Sequence, residues 1–144
     1  MKPRILLLLA LALLFQSPLK SETWYSYQSG NWSNPTSWTL DGSSNPAYVN
    51  ASADIPGAGD LVVINVGRTI TVQSTTNNIN IANIKILGKL DLTSSTGHNF
   101  TNIEGNGRIL LSGYNSGSGT ADNFPAGTIT NFINPAIGGF VEIY

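Results

Sequence analysis

Side chains able to do chemistry are few in this chain of 144 residues, and each must be weighed where it stands. His98 is the only histidine. Any Ser-His-Asp triad or histidine metal site would have to be built on it. It sits in Ser94-Ser95-Thr96-Gly97-His98-Asn99, a turn-like stretch in which a lone histidine reads as plain surface. Asp91, Glu104 and Glu142 are the carboxylates that could pair for glycan cleavage, with Lys89 and Arg108 close by. Outward charges on a repetitive β structure also serve to keep it soluble and to block edge pairing. No catalytic residue is therefore assigned. Asp41, Asp54 and Asp60 lie in oxygen-rich loops without calcium-loop spacing, so neither a metal nor a cofactor is expected.

Binding offers two further sets. Lys89 and Arg108 occupy equivalent places in neighbouring repeats, with Arg68 nearly so, and a stacked basic row attracts an acidic polysaccharide. Trp24, Trp32 and Trp38 either form an exposed platform for sugar rings or are buried as anchors, and burial is the commoner use of tryptophan. The candidate ligand residues are thus Trp24, Trp32, Trp38, Lys89 and Arg108, with an extracellular glycan as the partner. Asn31-Trp32-Ser33, Asn50-Ala51-Ser52 and Asn99-Phe100-Thr101 are sequons, meaningful only in a eukaryotic secretory pathway.

Compartment follows from the first 21 residues. Lys2 and Arg4 precede an unbroken apolar run of eleven residues, Ile5 to Phe15, ended by Gln16, Ser17, Pro18 and Lys20. A membrane-crossing helix needs about 20 apolar residues, so this run reads as a signal-peptide core rather than a span. Cleavage is expected near Ser21, although Leu19 and Ser21 make a poor small-x-small site. Beyond Ser21 there remain four basic residues (Arg68, Lys85, Lys89, Arg108) against eight acidic ones, a net charge of −4 in place of −1. That balance excludes a general nucleic-acid footprint. There is no cysteine, hence no disulfide staple and no lipidated cysteine anchor. The expected localisation is secreted or at the bacterial cell surface, with no membrane span after signal cleavage.

Residues 22–59 carry all three tryptophans among turn clusters and are expected to form an aromatic N-terminal cap. From Asp60 on, aliphatic units recur around glycines: VINVG-RTITV, IKILG-KLDL, EGNG-RILL and AIGG-FVEI, at Gly67, Gly88, Gly107 and Gly139. The steps are 21, 19 and 32 residues, the last enlarged by a Gly/Ser/Asn-rich insertion loop at 112–127. A period near 20 predicts an all-β chain folded as a parallel β-helix over 60–144. Ile70/Val72, Leu90/Leu92, Ile109/Leu111 and Val141/Ile143 are then expected inside, with Thr71, Asp91, Leu110 and Glu142 outside. The alternative is a β-sandwich. Because the chain stops within the strand pattern Phe140 to Tyr144, further C-terminal coils or a partner covering the last strand are expected.

The run Gly30-Asn31-Trp32-Ser33-Asn34-Pro35-Thr36-Ser37-Trp38 is followed by Pro56-Gly57-Ala58-Gly59-Asp60-Leu61-Val62-Val63-Ile64 and then by the Gly-x-hydrophobic units. Together these resemble the start of secreted bacterial β-helix surface proteins. They are also similar to the extracellular domain family named for its eight glycines, over roughly residues 24–112. The second tryptophan lacks a clear following glycine, and the insertion after Gly113 has no counterpart. The resemblance implies a right-handed β-helix with a role in adhesion, surface structure or glycan handling, and it implies no catalytic residue. The function expected is a non-catalytic structural or adhesive surface module, the alternative being a glycan-binding or glycan-degrading one.

Overall fold

The computed structural model describes residues 20–43, 54–112, 124–134, 136 and 138–144. Residues 1–19 of the expected signal peptide and residues 113–123 of the expected insertion loop lie outside the described residues. Among the described residues there are eleven strands: β1 (Thr23–Ser26), β2 (Gly30–Asn31), β3 (Trp38–Thr39), β4 (Leu61–Ile64), β5 (Thr69–Thr71), β6 (Asn80–Ile86), β7 (Lys89–Asp91), β8 (Asn99–Glu104), β9 (Arg108–Leu111), β10 (Ala126–Asn131) and β11 (Phe140–Ile143). A single 3₁₀ turn, Pro35–Ser37, precedes β3, with Asn34 as its cap: Asn34 Oδ1 accepts the Thr36 N–H at 3.0 Å.

The strands form two sheets. One runs β10-β8-β6-β4-β1-β3 and the other β11-β9-β7-β5-β2. From β4 to β11 the chain passes from one sheet to the other at each successive strand. Every pairing is parallel except β1 with β3.

These findings correct both fold expectations. The parallel β-helix of uniform coils is not formed; among the described residues the strands make two sheets that do not close. Their lengths are uneven, from two residues in β2 to seven in β6, and the β10/β8 pairing slips register twice. The antiparallel sandwich is not formed either, because neighbours run parallel. The glycine spacing reports which strands lie side by side, since residues one period apart pair in register. It carries no information on whether a coil closes, which depends on the links between the sheets.

Within that architecture the pairing is regular. Leu90 lies opposite Ile70 and Ile109, and Ile109 opposite Val141. Ile70, Val72, Leu90, Leu92, Ile109 and Leu111 are buried in one core with Val62, Ile64, Ile84, Ile86 and Ile103 from the other sheet. Alternate side chains point to opposite faces of a strand, so one apolar column per strand suffices to bury each inner face. The last expected pair departs from the pattern: Val141 packs against the core, but Ile143 is 62 % exposed. Phe132, in the turn after β10, is fully buried and takes the interior place at that end.

Two glycines, Gly88 and Gly107, permit this stacking. The Gly88 N–H donates to the Ile64 carbonyl, the Gly107 N–H to Ile86 and the Arg108 N–H to Gly88. A Cβ on Gly88 would stand 2.3 Å from the Arg68 carbonyl oxygen and 2.4 Å from that of Asn65. A Cβ on Gly107 would stand 2.2 Å from the Gly88 carbonyl oxygen. Backbone cannot yield as a flexible side chain does, so Gly107→Ala should destabilise the fold by about 1–3 kcal/mol or more. Urea unfolding of the variant against wild type measures this, and an unchanged midpoint would contradict the close approach.

Candidate functional site

The tryptophans are used inward. Trp24, Trp32 and Trp38 are 3, 2 and 0 % exposed. Trp32 meets Trp38 edge-on at 5.0 Å between centroids and stacks on Phe100 at 6.3 Å. The Trp38 indole N–H donates to the Trp32 carbonyl at 2.7 Å, and that of Trp24 donates to Asp60 Oδ2 at 3.0 Å. Full burial of a large apolar side chain is worth about 1.5–3 kcal/mol. In a fold without disulfides these rings serve as anchors, and they present no platform to a sugar.

Asp60, weighed in the sequence only as a loop oxygen donor, organises this end of the sheets. Its carboxylate accepts from the Gly57 N–H at 2.8 Å, the Glu22 N–H at 3.0 Å and the Trp24 indole. It thereby ties the Pro56–Asp60 turn to β1 and aligns β1 beside β4. The Pro-x-x-Gly-Asp pattern was the available signal, because the third residue back from Asp60 offers it an N–H across the turn. Asp60→Ala leaves three donors without their acceptor and should cost about 2–4 kcal/mol. The urea midpoint should fall, with the tryptophan emission reporting the loss.

His98 corrects the surface expectation: it is 2 % exposed. Its ring lies parallel to Phe100 at 5.9 Å. Nδ1 accepts the Ile79 N–H at 3.2 Å, which leaves the ring proton on Nε2 facing Ser95 Oγ at 2.9 Å. The buried Ser95 hydroxyl in turn donates to the Leu92 carbonyl. A nucleophilic serine must give its proton to the imidazole, and here the proton order runs the other way. The pair therefore acts as a brace between the segments at Ile79 and Leu92. Burial holds the imidazole below its ordinary value of 6.5.

The sign of the pH effect follows. A depressed folded-state value leaves this contribution intact above the unfolded value of 6.5, and it is lost as pH falls from there towards the folded value. Wild type should lose urea resistance between pH 7.5 and 5.5, and His98→Gln should lose less over the same interval. Equal losses in the two proteins would contradict the assignment.

The carboxylates weighed for catalysis are separated, and Asp91 and Glu142 are engaged. Leu110 stands between Asp91 and Glu142 in register. Asp91 Oδ1 accepts the Thr93 N–H at 2.9 Å and the Tyr144 hydroxyl at 3.0 Å. Burial and the Asp91 carboxylate together raise the Tyr144 value. Glu142 pairs with Arg108 at 3.4 Å. Glu104 lies in the other sheet, opposite Lys85 and Asn131.

The basic row is brought together. Lys89 lies directly opposite Arg108, and Arg108 opposite Phe140. Thr69, rather than Arg68, occupies the equivalent place in β5, because the turn from Asn65 to Arg68 absorbs the extra residue of that unit. Arg68 nevertheless joins the two others along one open groove of about 480 Å³, with Thr69, Asn106 and Phe140 beside them. The Arg108 guanidinium stands 4.5 Å over the Phe140 ring. Phe140 follows Gly139 as Lys89 follows Gly88 and Arg108 follows Gly107, so the repeat itself carried the signal for its place in this row.

No family model matches the chain, and neither a curated protein nor a solved structure was found to match it. Among the described residues no helix is long and apolar enough to cross a membrane.

Proposed function

We propose that this protein is an exported, non-catalytic surface module with a structural or adhesive role. One observation carries the reading: the side chains best suited to chemistry are engaged in holding the fold. His98 and Ser95 form an inward brace whose proton order opposes nucleophilic activation. Asp91 holds the Thr93 N–H and the Tyr144 hydroxyl, and Glu142 pairs with Arg108. Export rests on the basic start and the eleven-residue apolar run of Ile5 to Phe15.

A second reading, glycan binding, is favoured by the groove that gathers Arg68, Lys89 and Arg108 beside an exposed Phe140 face. It is compatible with the first, since an adhesive module needs a surface to hold.

N-terminal sequencing of the protein recovered outside the cell should find a chain beginning near Ser21, and retention in the cytoplasm would overturn export. Incubation of the purified protein with neutral and acidic polysaccharides should release no new reducing ends and no unsaturated sugar. Either product, lost in Asp91→Asn or Glu142→Gln, would overturn the non-catalytic reading.

A further inference from the structure

Positive charge is scarce in this protein and unevenly placed. Beyond Ser21 the basic residues are Arg68, Lys85, Lys89 and Arg108, set against eight acidic ones. Three of those four line one groove on the outer side of the sheet that contains β5, β7, β9 and β11. All three side chains are exposed. Lys89 and Arg108 stand on adjacent parallel strands, a separation of about 4.8 Å between backbones. Like charges held that close repel, and among the described residues neither Arg68 nor Lys89 has a side-chain ion pair or hydrogen bond. Arg108 does have a partner in Glu142, but both side chains are about half exposed, 45 and 48 %. A pair in that setting is worth about 0–1 kcal/mol, so an incoming anion can compete for the guanidinium.

The surroundings narrow the class of anion. Gly67, Gly88 and Gly107 line the groove without side chains, which leaves space between the cations. Thr69 and Asn106 supply a hydroxyl and an amide. Phe140, 43 % exposed, presents an apolar ring at the β11 end, with the Arg108 guanidinium over one of its two faces and the other left for a ligand. The groove is lined by Thr69 of β5, Lys89 of β7, Arg108 of β9 and Phe140 of β11, so it crosses four successive strands, which suits an extended polymer better than a compact ion. A chain of sugars offers carboxylates at regular intervals, hydroxyls for the polar side chains and C–H faces for the ring. With three cations against a net charge of −4 beyond Ser21, a nucleic acid is disfavoured.

We propose that the groove formed by Arg68, Lys89, Arg108 and Phe140 binds a carboxylate-bearing acidic polysaccharide, with the uronate groups on the cations and a sugar face on Phe140. The proposal deepens the adhesive reading by naming the class of surface held, and it rests on that reading only for its biological setting.

Affinity electrophoresis of the purified chain through gels containing polygalacturonate, alginate or neutral dextran tests it. The expected result is retardation by at least one of the two acidic polymers, none by dextran, and loss of retardation at high salt. Lys89→Gln and Arg68→Gln should each weaken binding by about tenfold, and Phe140→Ala should weaken it without altering the salt dependence. Lys85→Gln supplies the control, because it removes the same charge from the opposite sheet and should leave binding unchanged. Urea midpoints of the four variants establish that each is folded. Equal weakening by Lys85→Gln would show diffuse attraction and overturn the groove as the site. Absence of retardation by both acidic polymers would also overturn it, while leaving the non-catalytic reading to the product assays above.

Discussion

Successive glycine turns lie against one another through bare backbone, and much of the rest of the molecule depends on that contact. The Gly88 and Gly107 amides donate to Ile64 and Ile86, and the Gly88 carbonyl receives the Arg108 N–H. Each contact sets the register of the strand that follows: β7 beside β5, then β9 beside β7. Once that register is set, residues one period apart fall into columns. The inner columns of isoleucine, leucine and valine make a core without any disulfide. The outer column carries Thr69, Lys89, Arg108 and Phe140 in that order.

Polar side chains then fasten what the columns cannot. Asp60 holds the N-terminal strand through three N–H donors, and Ser26 is tied to Asn65 through both its hydroxyl and its carbonyl. His98 and Ser95 satisfy a buried N–H and a buried carbonyl between adjacent turns. A buried polar group left unpaired costs more than a made hydrogen bond gains, so each of these groups is held by its partner rather than free to react. The same economy explains why residues that look catalytic in the sequence are braces in the fold. The groups left over for function are those on the outer face, where water already satisfies them.

Parts of this were legible in advance. The alternation around Gly67, Gly88 and Gly107 identified which side chains are buried in β5, β7 and β9, because strand alternation is a local property. The equivalence of Lys89 and Arg108 was legible for the same reason. Closure of a β-helix was not, because glycine spacing reports pairing along the stack and is silent on the links between sheets. Ile143 was misplaced because the strand pattern continues to the chain's last residues while the interior at that end is filled by Phe132.

The amino-acid sequence by itself determined the strand content, the paired columns, the acidic balance beyond Ser21 and the charge of the outer row. Each depends on residue type and on spacing within a few tens of residues. Tertiary structure alone decided that His98 turns inward, that Asp60 gathers three donors and that Arg68 joins Lys89 and Arg108. Those outcomes depend on which turn lies over which strand. Such proximity arises from backbone hydrogen bonds between segments distant in the chain, and no local pattern encodes it.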